Sequence, residues 1–458
     1  MKNESLIREL FKGKRVTKMG FGPNGRSFGD IIFLVQAGAH VLVTDYRDEP
    51  DIQRSKELLL AKLTEDDQLR LSFVLGEHRE SDFVDTDMVI QASGVPLNSP
   101  YIHAARDTGV PIYTSSALVY KIARENFEVV TIGVTGTKGK STTTDMIEHT
   151  LRENNISYHV AGNVRGIANL PILGELENGD VILGELDSWQ LQGFGDISIS
   201  PNIAVFTSFF EDHLNYYDGS MQRYFDDKAK IYKHQDPGDI TLISHQVAHV
   251  IEQYDENLSQ NIIVVDQGII QNVELSVLGA HNRANAALAF AACEQIGLNE
   301  DDIASSLESY RAMEGRSQYL GEKKGIYYYN DNNSTTPLSS IKTLNSLRDY
   351  YADAKIYLIG GGADKEFDYT KFSKALPELV ERGVLFEGTA TDKILPGLSS
   401  EDKKRFDVVD SMKAAWNTIH KYAKEGDIVV LSPGAASFGV FLNEYERGDQ
   451  FLGLFNSL

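Results

Sequence analysis

The 458 residues contain one cysteine, Cys293. A lone thiol excludes an internal disulfide framework and a cysteine-based zinc site. Its alanine-rich setting, residues 286–294, reads as a buried helix and argues against a reactive thiol. Basic residues are also in deficit: 44 Lys and Arg stand against 66 Asp and Glu, a formal net charge of −22. Such a surface repels polyanions over most approaches, which argues against nucleic-acid binding and against anionic membranes. Any phosphate-bearing ligand must therefore meet a locally basic pocket. No 18 apolar residues run together, so no membrane-spanning helix is expected. Residues 1–15 mix charges of both signs without an apolar stretch, unlike a signal peptide. With no internal repeat or low-complexity tract either, the expectation is a cytoplasmic globular protein.

What is present is an ordinary globular composition, 42% hydrophobic and 24% charged, on a chain too long for one typical core. Apolar, strand-like runs alternate with helical patterns, as in βα units stacked around parallel sheets. The expected architecture is α/β with three domains. A Rossmann-like N-terminal domain spans 1–126, a P-loop-type ATP-binding domain with a parallel sheet spans 127–320, and a second Rossmann-like domain spans 321–458.

The most informative passage is residues 134–144, Val-Thr-Gly-Thr-Lys-Gly-Lys-Ser-Thr-Thr-Thr. It joins a β-rich run, 129–134, to a helical pattern carrying Met146, Ile147, Thr150 and Leu151. Glycines let backbone N–H groups turn toward phosphate oxygens, Lys140 adds a point charge, and Ser141 or Thr142 offers a hydroxyl to Mg²⁺. Gly136, Thr137, Lys138 and Gly139 complete this triphosphate cradle. The generic P-loop spacing asks for glycine at 134, where the chain has valine.

A second signal competes. Gly20-Phe21-Gly22-Pro23-Asn24-Gly25 is a literal G-x-G-x-x-G after a strand, with Asp45 twenty residues further on. Pro23 and Asn24 favour a turn over smooth helix entry, so a diphosphate ligand other than NAD fits better, with Asp45 and Arg47 near its sugar or base. An NAD-dependent oxidoreductase stays open on this pattern alone.

Downstream, Glu185 ends the apolar run 181–183 and is placed to complete a Mg²⁺ shell. His213, in Glu211-Asp212-His213, follows another strand and is a candidate ligand for a second metal. Lys228 lies in a helical segment behind paired acids, which composition alone would put on a solvated face. His281-Asn282-Arg283-Ala284-Asn285 opens an alanine-rich helix and reads as an anion site or a helix cap.

In order and approximate spacing these residues resemble the Mur ligases over nearly the whole chain. Residues 431–438, Leu-Ser-Pro-Gly-Ala-Ala-Ser-Phe, with Asn443, Glu446, Arg447 and Gly448, are most similar to the branch that adds D-glutamate. The resemblance implies an ATP-dependent amide ligase that joins glutamate to UDP-N-acetylmuramoyl-L-alanine through an acyl phosphate, acting as a monomer in peptidoglycan precursor synthesis. It implies two Mg²⁺ ions, one held by Ser141 or Thr142 with Glu185, the other by His213, and a carbamylated Lys228. It places Asn163 near the reacting groups, and Asn285, Arg316 and Asp331 with the adenosine and phosphates. UDP is assigned to Gly22, Pro23, Asn24, Gly25, Asp45 and Arg47, and the incoming amino acid to Thr335, Lys365, Ser437 and Phe438.

Departures from the family pattern cluster around the acceptor pockets. Asn333 replaces a usual lysine, Gly439 and Glu444 stand where an aspartate and an aromatic are usual, and 163–168 is longer and more basic. ATP use and ligation carry over. Which acceptor and which amino acid, in which configuration, stays open here, a folylpolyglutamate-type ligase included.

Overall fold

The computed structural model describes residues 2–458 except 23–26, 49, 97, 165–166 and 256–260. Three sheets carry the chain. The first contains β1 (Arg15–Met19), β2 (His40–Asp45), β3 (Leu71–Leu75), β4 (Met88–Gln91) and β5 (Ile112–Thr114), all parallel, in the order β3-β2-β1-β4-β5. That order reverses direction beside β1, where an open α/β sheet forms a ligand crevice at its carboxyl edge.

The second contains β6 (Val130–Thr135), β7 (Tyr158–Gly162), β8 (Val181–Glu185), β9 (Ile203–Phe206), β10 (Ile240–Ile243) and β11 (Ile262–Val264), ordered β11-β10-β9-β6-β8-β7 and also all parallel. Its central strands are buried along nearly their whole length, as in a parallel sheet covered on both faces. The third contains β12 (Gln318–Lys323), β13 (Ile326–Asn330), β14 (Ile356–Gly361), β15 (Arg382–Phe386), β16 (Phe406–Val409) and β17 (Ile428–Leu431), ordered β12-β13-β17-β14-β15-β16. Only β12, an edge strand, runs antiparallel there, paired with β13.

The chain forms two compact units. Met1–Gln271 with Ala284–Ser306 make the first, and Asn272–Arg283 with Leu307–Leu458 the second. The boundary expected at 320/321 would cut through β12, whose ladder to β13 commits Gln318–Lys323 to the third sheet. Sequence missed it because a two-residue turn joins two strands of unlike burial.

In the first unit, one apolar core runs from Ile7 through Leu34 and Tyr120 to Phe206 and Ile251, so it serves the first and second sheets together. Tyr120 donates from its hydroxyl to the Ile132 carbonyl at 2.7 Å, and Asp30 accepts from the Leu170 N–H at 2.9 Å. Each fully buried large apolar side chain contributes about 1.5–3 kcal/mol. The third sheet has separate cores on its two faces, one around Leu344, Leu358 and Phe372, the other around Tyr328, Val384 and Trp416. Among the described residues no helix is long and apolar enough to cross a membrane.

Candidate active site

In the first unit the strongest features gather at the carboxyl edge of the second sheet. β6 delivers Gly136 (φ 148°) and Gly139 (φ 93°), and the helix Lys140–Glu153 starts directly after. The next strand end clamps the loop: the Thr137 N–H donates to the Ser208 carbonyl at 2.7 Å, and Thr207 Oγ1 donates to the Lys138 carbonyl at 2.7 Å. Asn285 closes the other side, its Oδ1 2.5 Å from where a Cβ on Gly139 would stand. Asn285 thus borders the loop at Gly139.

Lys140 Nζ donates to the Gly136 carbonyl at 2.9 Å, and Lys228 Nζ donates to the same oxygen at 3.0 Å. Lys228 is 1% exposed, not on the solvated face that composition alone suggests. Its helix, Met221–Ala229, turns Tyr224, Phe225, Asp227 and Lys228 inward, a face that local composition does not reveal. Burial, and then the neighbouring Lys140 charge, push the Lys228 amine well below its ordinary pKa, against the pull of Asp187, Asp212 and Asp227. Both amines thus meet at one carbonyl, and the Lys140 charge suits the loop to an anion.

Glu185, at the end of β8, is 9% exposed and in register with Val134 on one side and Gly162 on the other. The Asn163 N–H donates to the Glu185 carbonyl at 2.8 Å, and Asn163 Nδ2 donates to Asp187 at 3.1 Å. Sheet register therefore brings the phosphate loop, Glu185 and Asn163 to one edge. His213 is farther from its strand than expected, at φ 53°, with its ring 4.8 Å from that of Trp189. Burial lowers its pKa, Asp212 opposes, and Lys228 and Lys140 lower it further, a shift toward the neutral imidazole that can ligate. Ser141 and Thr142 occupy the first turn of the loop helix. Among the described residues no three of His, Cys, Asp and Glu converge as a metal cage. Mg²⁺ does not require one, because it commonly takes one or two carboxylates with substrate phosphates and water. The oxygen donors Glu185, Ser141 and Thr142 fit that demand.

Sequence reasoning passed over Asp187 and Asp212. Asp187 caps the helix Ser188–Asp196 through the Gln190 N–H at 2.8 Å, and Asp212 pairs with Lys138 at 3.6 Å. Both were visible as acids beside Glu185 and His213, but only the fold shows that they act on Lys228.

At the first sheet, Asp45 accepts from the Phe21 N–H at 2.9 Å and the Gly22 N–H at 3.1 Å, and pairs with Arg47 at 3.0 Å. Gly22, Asp45 and Arg47 are thus together, while Pro23, Asn24 and Gly25 lie outside the described residues.

The second unit has a cavity of about 280 Å³ lined by Arg316, Thr335, Lys365, Ser437 and Phe438, with Asn333, Glu444 and Tyr445 on its walls. The residues expected for the amino acid converge here, but Arg316, expected with the nucleotide, also faces this cavity. Asp331 lies behind this cavity's Arg316 turn. It is 3% exposed, and its oxygens accept from the Ser317 N–H at 2.9 Å and the Ser432 hydroxyl at 2.7 Å, which fixes the turn carrying Arg316.

Over 96% of its length the chain is 33% identical to the UDP-N-acetylmuramoylalanine–D-glutamate ligase of Roseiflexus sp. (strain RS-1), covering 97% of that protein. The chain belongs to the Mur ligase family. Borreliella burgdorferi (strain ATCC 35210) has another such ligase, 30% identical over 99% of this chain and all of its own length. Family models agree along the Mur ligase chain: the MurD-like N-terminal domain at 14–114, the middle domain at 134–261 and the glutamate ligase domain at 315–434. The first match sets the oxidoreductase reading of Gly20–Gly25 aside. Solved structures share the fold, among them Thermotoga maritima MurC (TM-score 0.58, 20% identity, 97% of this chain and 99% of that one) and Thermotoga maritima MurF in complex with ADP (0.59, 17%, 100% and 96%). Mycobacterium tuberculosis folylpolyglutamate synthase shares it less fully (0.55, 12%, 74% and 94%).

Proposed function

We propose that this chain joins D-glutamate to the alanyl carboxyl of UDP-N-acetylmuramoyl-L-alanine at the expense of ATP, in cytoplasmic peptidoglycan precursor synthesis. The observation that carries the reading is the convergence of Lys140 and Lys228 on the Gly136 carbonyl, in a chain whose full length matches D-glutamate ligases.

A carboxylate is a poor acyl donor, so its oxygen first attacks the γ-phosphorus of ATP, and ADP leaves. The amine of glutamate then attacks the acyl carbon, a C–N bond forms, and the C–O bond to phosphate breaks. Lys140 and the loop N–H groups hold the triphosphate and oppose the charge that grows between two anions. Asn163 is the amide donor for the reacting acyl group, and Asn285 borders the nucleotide side of the loop. Mg²⁺, when bound, neutralises phosphate charge beside Glu185, Ser141, Thr142 and His213. A buried Lys228 amine whose pKa is pushed down is suited to add CO₂, releasing one proton, and the resulting carbamate would be attracted to Lys140. Gly22, Asp45 and Arg47 are the proposed contacts for the UDP portion.

The assay is phosphate release with ATP, Mg²⁺, UDP-N-acetylmuramoyl-L-alanine and a panel holding D-glutamate, L-glutamate and other amino acids. Release that depends on D-glutamate is expected, and its absence across the panel rejects the reading. In the same assay Lys228→Met should lose at least about a hundredfold in rate. The protein should melt no lower, because an apolar chain of similar length replaces a desolvated amine.

A further inference from the structure

Residues 163–168, the stretch longer than the family pattern, lie between β7 and a 3₁₀ turn, Leu170–Gly174. Asn169, which the reaction scheme leaves unused, ties this stretch back to its own start. It is 7% exposed, accepts from the Gly162 N–H at 2.7 Å through Oδ1, and donates to Ser115 Oγ at 3.1 Å through Nδ2. A peptide N–H can only donate, so the amide has one orientation that serves Gly162. Ser115 opens the helix Ser115–Asn126, directly after β5 of the first sheet.

A second tie lies one residue on. The Leu170 N–H donates to Asp30 at 2.9 Å, and Asp30, 4% exposed, stands in the first turn of the helix Phe28–Gln36. Beside it, Ala168 fills the space that Gly29 leaves: a Cβ on Gly29 would stand 2.3 Å from the Ala168 Cβ. That helix follows the loop of Gly22, at the edge where the UDP portion is proposed to bind. Asn163, at the other end, is held on the second sheet by the Glu185 carbonyl and by Asp187. Two buried polar side chains, Asn169 and Asp30, therefore refer the edge that carries Asn163 to helices of the first sheet.

We infer that Asn169 is a positioning residue for the ligation step: through the Gly162 N–H it sets the place of Asn163, and through Ser115 it fixes that place relative to the first sheet. The inference rests on the ligase reading above. An acceptor anchored at both ends, by its nucleotide on the first sheet and by its carboxyl at Asn163, reacts only when the span between the anchors matches its length. Misplacing a reacting group by about 1 Å costs on the order of a hundredfold in rate. Asp30 serves the same span, but it also offsets the charge of Lys18, which is 3% exposed, so its removal would strand a buried cation. Asn169 carries no charge, and its truncation leaves none behind.

The test is a cycle of full-length variants, Asn163→Ala, Asn169→Ala and the two combined, assayed by phosphate release with D-glutamate and by calorimetric titration. Asn169→Ala should lower kcat at least about tenfold while the affinities for ATP and for UDP alone stay within about twofold of wild type. The binding advantage of UDP-N-acetylmuramoyl-L-alanine over UDP should shrink, because only the longer ligand reaches both anchors. A residue that acts through Asn163 adds nothing once Asn163 is gone, so the combined variant should lose no more kcat than Asn163→Ala. Ser115→Ala, which keeps the Gly162 bond, should move the same quantities in the same direction by less, and it carries the test if Asn169→Ala does not fold. Losses that multiply in the combined variant, equal loss of ATP, UDP and acceptor affinity, or a lower melting temperature with unchanged kcat overturns the inference. A wild type that releases no phosphate with any amino acid sinks the ligase reading and this one with it. Release by the wild type that Asn169→Ala and Ser115→Ala match sinks this one alone.

Discussion

Asp45 is the acid around which the loop after β1 is arranged. It is 5% exposed, and burial alone would raise its pKa, but Arg47 and the N–H groups of Gly22 and Phe21 hold it down to about 2. A folded pKa below the unfolded one stabilises the fold at pH values above the unfolded pKa. For Asp45 that is about 2 kcal/mol at neutral pH, lost as pH falls from about 4 toward 2. Asp45→Asn should therefore unfold at lower urea than the wild type at pH 7, with the gap narrowing as the solution approaches pH 2. Arg447 is the opposite case. Burial pushes it down to about 10, Glu444 partly offsets this, and three acceptors on two loops keep it in place without a carboxylate in contact. Cys293 is pushed up to about 12 by burial, as its helix setting implied for an inert thiol.

Glycine placement sets the geometry of the strand–loop–helix element at the ATP end. A Cβ on Gly136 would stand 2.1 Å from Thr207 Oγ1 and 2.9 Å from the Ser208 N–H nitrogen, and φ 148° is costly for any L side chain. Gly136→Ala should raise KM for ATP more than about tenfold in a chain that keeps its circular dichroism spectrum. A Cβ on Gly162 would stand 2.1 Å from the Glu185 carbonyl oxygen, so Gly162→Ala displaces the bond that seats Asn163. Its expected signature differs: kcat falls while ATP binding by titration stays near wild type, because the strain enters at β7 and β8 rather than at the phosphate loop. Equal loss of ATP affinity in both variants would contradict this assignment.

Cooperativity follows the cores rather than the sheets. Because one apolar cluster serves the first two sheets, Leu34→Ala and Phe206→Ala should lower the same calorimetric transition, each by about 2–5 kcal/mol. Leu358→Ala, in a core of the third sheet, should lower a different one. One transition shifted equally by all three variants would show that the units do not unfold independently. A net charge of −22 adds self-repulsion throughout.

Sequence was enough for the parallel α/β class, the phosphate loop and the strand-end Glu185, because hydrophobic period, glycine spacing and strand-to-helix order are local properties of the chain. It was also enough to single out Lys140, His213, Lys228, Lys365 and Ser437, through the order of motifs along the chain. Their environments were not local. Whether Lys228 is solvated or desolvated depends on which helix face meets the loop of β6. Asp331 became an internal anchor because β13 lies beside β17, a hundred residues later in the chain, so that Ser432 bonds it. Arg316, Lys365 and Ser437 likewise come to one cavity only where separate strand ends meet. Burial and electrostatic neighbourhood are sums over residues distant in sequence, and only tertiary packing supplies those terms.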